Sequence, residues 1–102
     1  MIRYNMIVRD RLPEMLEKEG RKCQVRVVGN DEALHYLAER LRGQVDEFLR
    51  APMPIDAADM LEIMRAIIVK AGWNYDEIEA MRIGKLEDRG GFETNTILLH
   101  TE

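Results

Sequence analysis

Apolar residues recur at helical spacing over two long stretches in the middle of the chain. Leu34, Leu37, Ala38, Leu41, Val45, Phe48 and Leu49 line one face of a helix running to about Arg50. Ile55, Ala58, Leu61, Ile63, Met64, Ile67, Ile68 and Ala71 then cover much of a second helix's circumference, which predicts the most buried element. Ala51-Pro52-Met53-Pro54 separates the two, and Pro54 suits the first turn of the second helix. Gly72 ends that helix. Asn74, with Glu77 three residues on, predicts a capped fourth helix to about Asp88, stopped by Arg89-Gly90-Gly91.

Ahead of the central pair, Asp10 is placed to cap a helix from Arg11 to about Glu19. Pro13 falls in its first turn and Gly20 at its end. Cys23 to Val28 alternates and is rich in β-branched residues, which predicts a short strand, and Thr94 to Leu99 predicts a closing strand. Gly29-Asn30-Asp31 is a turn that doubles as a helix start. The expectation is one mainly α domain over residues 1–102, with four helices, a minor two-stranded β element and an antiparallel central helix pair. Gly43 costs about 1 kcal/mol relative to Ala in the middle of a helix, and so marks a place of close approach.

Composition narrows the classes. At 102 residues the chain has room for one core and not two. A hydrophobic fraction of 46% argues against disorder. The net charge of -4 argues against nucleic-acid binding. No apolar run reaches membrane-spanning length, and the N-terminal stretch has no apolar core of the kind a signal peptide needs. Cys23 is the only cysteine, so an internal disulfide and a cysteine-rich metal site are excluded and a cytoplasmic setting is favoured.

The unusual feature is where the acids lie. Asp46 and Glu47 sit beside the apolar stripe of the first central helix; Asp56, Asp59 and Glu62 sit on the second. Residues three or four apart share a helix face, so Gln44 points with Glu47, and Asp56 with Asp59. Pairing across a short turn brings both sets to one end of the pair. Converging carboxylates repel unless a hard cation sits between them, and oxygen-only ligands suit Mg²⁺ or Mn²⁺. The competing account keeps the acids as solvated charge, with Asp56 favoured by the dipole of a first helical turn and Asp46 and Glu62 paired to Arg42 and Arg65. Asp59 resists that account most, because it lies in an apolar helix where an unpaired acid is expensive.

Arg82, Lys85 and Arg89 share a face of the fourth helix, either as a phosphate-facing stripe or as a solvated side near Glu79 and Glu87. The glycines after Arg89 allow backbone N–H groups to approach a phosphate, or simply end the helix. Arg9 and Arg11 flank a helix start suited to anions, where Asp10 also serves as a plain cap. His35 and His100 have no spaced metal partner. Trp73 and Tyr75 flank a turn, available for a base or for the core.

Taken in order, YN-MIVRDRLPE, KC-V-V, a long helix ending VDEFL, ADMLEIM, and R-x-x-K-x-x-x-RGGF resemble the MazG-like all-α nucleotide pyrophosphohydrolases, in particular the phosphoribosyl-ATP pyrophosphohydrolase-like group. The resemblance spans nearly the whole chain. It implies a helical fold, a homodimer and Mg²⁺-dependent hydrolysis of a nucleoside triphosphate to monophosphate and pyrophosphate. The family pattern is ExxE on the first central helix and ExxD on the second. It implies metal ligation by Gln44, Glu47, Asp56 and Asp59 and catalytic roles for Glu47 and Asp59; the basic residues Arg9, Arg82, Lys85 and Arg89 are the candidate substrate contacts beside them. Gln44 stands where the first Glu is expected and Asp56 where the third is. A Gln carbonyl still ligates a hard cation, yet it adds no charge and cannot act as a base. The alternative is a catalytically degenerate relative that binds a nucleotide or a partner protein.

Overall fold

The computed structural model describes residues 2–102. It is mainly α, with four helices: α1 Leu12–Lys18, α2 Asn30–Arg50, α3 Pro54–Lys70 and α4 Tyr75–Arg89. The chain falls into two compact units, one ending at Gly72 and the other running Trp73–Glu102.

Local chemistry sets most of the helix ends. Pro54 occupies the first position of α3, where a missing N–H costs nothing. Gly72 follows α3 at φ 75°, a left-handed conformation that glycine adopts without strain. Asn74 caps α4, its side-chain oxygen accepting from the Glu77 backbone N–H at 3.1 Å. Gly20 and Gly90, each at φ 81°, follow α1 and α4.

In the first unit α2 and α3 form a helical hairpin across residues 51–53, and they pack on each other extensively. Ala33 and Leu37 of α2 and Ile63 and Ile68 of α3 are its buried apolar side chains. That core is small. Leu61 and Val69 on α3 remain 68% and 69% exposed, so the apolar circumference of α3 is covered on one side only.

Two sequence expectations are corrected. Asp10 does not cap α1: the helix starts one residue later than expected, Arg11 takes the cap position, and no side chain bonds the free N–H groups. The minor β element is absent, since no strand occurs among the described residues. Cys23–Val28 and Thr94–Leu99 have the alternation of strands, but a strand exists only as part of a hydrogen-bonded ladder. Among the described residues no backbone hydrogen bond pairs either segment, and Val27 is almost wholly exposed.

Candidate functional site at the α2–α3 hairpin

Gln44 and Asp56 are the two buried polar side chains among the described residues, 6% and 8% exposed. They face each other across the hairpin, and Gln44 Nε2 donates to Asp56 Oδ1 at 3.0 Å. The other carboxylate oxygen, Asp56 Oδ2, accepts from the backbone N–H of Met53 at 3.0 Å. Asp56 therefore closes the first turn of α3 and ties it to α2. The sequence makes this possible through a short linker: with only residues 51–53 between the helices, the twelve-residue separation of Gln44 and Asp56 returns the chain to the same level.

Asp59, one turn further along α3, is half-buried. Arg9 reaches it from the N-terminal segment, Nη2 to Oδ1 at 2.7 Å. This answers the difficulty of an acid inside an apolar helix, because it is paired. The arginine is mostly exposed, so the pair contributes under about 1 kcal/mol. The partnership spans fifty residues of sequence, and no local pattern announces it; the hint was only that Asp59 needed some cation. Glu47 is exposed, and its carboxylate has no protein partner among the described residues. Asp46 and Glu62 are also exposed and make no ion pair there. Arg42 pairs instead with Glu39, at 3.3 Å.

The structure thus divides the expected ligand set. Gln44 and Asp56 meet inside the hairpin, Asp59 lies against Arg9, and Glu47 faces solvent. Among the described residues no three carboxylate, histidine or cysteine side chains gather closely enough to hold a metal ion. The donor chemistry, oxygen only, suits a hard cation. Closing four oxygens around one requires Asp59 to exchange Arg9 for it and the Gln44 amide to turn its oxygen inward.

The basic stripe lies in the second unit. Arg82 is committed within its own helix: Nε donates to Glu79 Oε1 at 3.0 Å, with Nη2 on the same oxygen. That hydrogen bond holds the Glu79 carboxyl below its ordinary range and the guanidinium above its own. Lys85 and Arg89 have no carboxylate partner among the described residues. Gly90 N–H donates back to Leu86 O at 2.9 Å, so this glycine ends α4.

Sequence reasoning missed a cavity of about 440 Å³ in the first unit, lined by the N-terminal segment and by α2. Its one advance signal was Gly43, an otherwise costly residue in the middle of α2. A Cβ there would meet nothing within 4 Å, so the glycine borders open space and makes no close contact with the chain itself.

Comparison with protein-family models, with curated proteins and with solved structures finds no match for this chain.

Proposed function

We propose that the chain is a Mg²⁺-dependent nucleotide pyrophosphohydrolase of the MazG-like kind, acting in the cytoplasm on a nucleoside triphosphate or a phosphoribosyl-ATP-like nucleotide. The observation that carries this reading is the 3.0 Å contact between Gln44 and Asp56. It joins one position of the four-residue pattern on α2 to one on α3, which supports the reading that the pattern's two halves belong to a single site. Glu47 and Asp59, with Asp56 and the Gln44 carbonyl, are the groups that would hold the cation. When bound, Mg²⁺ or Mn²⁺ supplies charge neutralisation at the polyphosphate and acidifies a water. Glu47 has the one carboxylate of the set without a protein partner, so it takes the proton of the attacking water. The water oxygen would bond to the α-phosphorus as the α–β anhydride bond breaks, so that monophosphate forms and pyrophosphate leaves with the electron pair of the broken bond. Arg9, displaced from Asp59, becomes available to the phosphates; Arg82, Lys85 and Arg89 are the further cationic candidates.

Two measurements test this. Pyrophosphate release from a panel of nucleoside triphosphates with Mg²⁺ and Mn²⁺ is expected to show turnover on at least one. Millimolar metal is also expected to raise the melting temperature, by about 1.4 kcal/mol of stabilisation at ten times Kd. Asp59→Asn should remove that rise and still fold, since the ion pair it loses is exposed. A wild type indifferent to both metals refutes the site.

A second reading is favoured by the engagement of Asp56 at both oxygens and of Asp59 by Arg9. These contacts suit a relative that has lost turnover and binds a nucleotide or partner protein. Its signature is thermal stabilisation by nucleotide with no pyrophosphate released.

We also propose a homodimer, assembled through α3. A helix apolar around its circumference is normally covered on all sides. Here Ile55, Leu61 and Val69 are exposed, and so are Met53 and Leu49 of the adjoining turn and helix. Light scattering at assay concentration should return twice the 11.9 kDa chain mass. A monomer mass rejects the dimer and leaves the hydrolase reading to stand on the assays above.

A further inference from the structure

The cavity beside α2 lies on the same helical stripe as Glu47. Tyr36, Arg40, Gly43 and Glu47 fall within about 40° of one line on an ideal helix, and Tyr36 to Glu47 spans about 16 Å along the axis. The first three line the cavity; Glu47 lies one turn beyond it. The far end is aromatic, and the Arg26 guanidinium lies over the Tyr36 ring, 5.9 Å from its centroid. His35 meets Tyr36 edge to face, with ring centroids 5.9 Å apart and an interplanar angle of 76°. The Tyr36 hydroxyl accepts from Arg26 Nη2 at 3.0 Å, and the same guanidinium is anchored by Glu32 at 2.6 Å. Across the cavity stands Asn5, whose backbone is left-handed at φ 45°. An Asn side chain offers both a donor and an acceptor, the combination that a base edge requires. Arg40 has no carboxylate partner among the described residues, unlike Arg26 and Arg42.

From this arrangement we infer that the cavity is the nucleoside-binding site of the chain: a planar base seats at the Tyr36–His35 end, read by Asn5, and its phosphates run past Arg40 and Gly43 towards Glu47. The length fits, because a nucleoside triphosphate spans roughly the distance from Tyr36 to Glu47 on α2. The volume lies within the range of small-molecule sites. Gly43 is then explained as the residue that leaves the passage open. The inference rests on the nucleotide reading above and adds where the base binds.

The test compares the wild type with Gly43→Leu, which adds a side chain to the cavity at a position where a Cβ has free space. Each full-length chain is titrated calorimetrically with the four ribonucleoside triphosphates and with inorganic tripolyphosphate, using Ca²⁺ to suppress turnover. At least one nucleoside triphosphate is expected to bind the wild type tenfold or more tighter than tripolyphosphate, in line with the roughly five- to 150-fold value of stacking one base. Gly43→Leu, which blocks the passage itself, should lose that tight nucleoside triphosphate binding while keeping an equal or higher melting temperature. Tyr36→Ala should lose it too, and Tyr36→Phe should retain most of it. Equal binding of nucleoside triphosphates and tripolyphosphate by the wild type, or a nucleoside triphosphate affinity unchanged in Gly43→Leu, overturns the inference. If pyrophosphate release persists in either of those cases, the hydrolase reading stands without this base site; if release is also absent, both fall.

Discussion

Asp56→Ala is expected to destabilise the chain by about 3 kcal/mol. Two losses add. The first turn of α3 loses its cap at the Met53 N–H, worth about 1 kcal/mol. The Gln44 amide, buried and bonded to the same carboxylate, loses its acceptor, and an orphaned buried donor costs about 1–3 kcal/mol. Urea unfolding followed by helical circular dichroism measures the shift in midpoint at unchanged slope. Asp46→Ala, on the exposed side of α2, should stay within about 0.5 kcal/mol of wild type. The double variant Gln44→Leu/Asp56→Ala should recover part of the loss, because it removes the orphaned amide along with its acceptor. An Asp56→Ala protein as stable as wild type means that the buried contact does not hold the hairpin together.

The larger functional effect is expected from Gln44→Glu. On the hydrolase reading proposed above, this substitution adds a carboxylate to the candidate site with little change of shape, so turnover should rise; a tenfold rise corresponds to about 1.4 kcal/mol of barrier. The structure adds a condition. The Gln44 amide is the donor to Asp56 Oδ1, and a carboxylate in its place sets two acceptors face to face in a buried setting. Without metal the variant should lose about 2–4 kcal/mol at neutral pH. Repulsion from Asp56 raises the folded-state pKa of the introduced carboxyl. Stability is therefore best below the unfolded carboxyl pKa, where the proton restores a donor, and it falls as pH rises through the folded value. Mg²⁺ or Mn²⁺ should reverse the loss, giving a metal-dependent melting shift greater than that of wild type. Destabilisation with no metal rescue and no turnover favours the binding reading, in which the amide is a fixed structural donor.

These two residues mark how far the sequence reaches. The hairpin was legible because its causes are local: helical spacing of Leu34 to Leu49 and of Ile55 to Ile68, a proline that can only begin α3, and glycines that end helices at positive φ. Three-residue spacing predicts that Gln44 points with Glu47 and Asp56 with Asp59, yet Gln44 and Asp56 are buried in the hairpin while Glu47 is exposed and Asp59 pairs with Arg9. Which groups those acids bond was not legible. The Gln44–Asp56 contact depends on the register of two helices, and Arg9 reaches Asp59 across fifty residues, so both follow from packing and not from neighbours in sequence. The same reason explains the failed strands. Alternation at Cys23–Val28 makes an extended conformation acceptable, but only a second segment at hydrogen-bonding distance makes it a strand, and none is placed there. Asp10 likewise has the chemistry of a cap, yet α1 starts one residue later than expected and Arg11 takes the cap position. Local propensity therefore determined the helices and their ends. The three-dimensional arrangement decided which polar groups are spent on holding α2 to α3 and which, such as Glu47, stay exposed with no protein partner among the described residues.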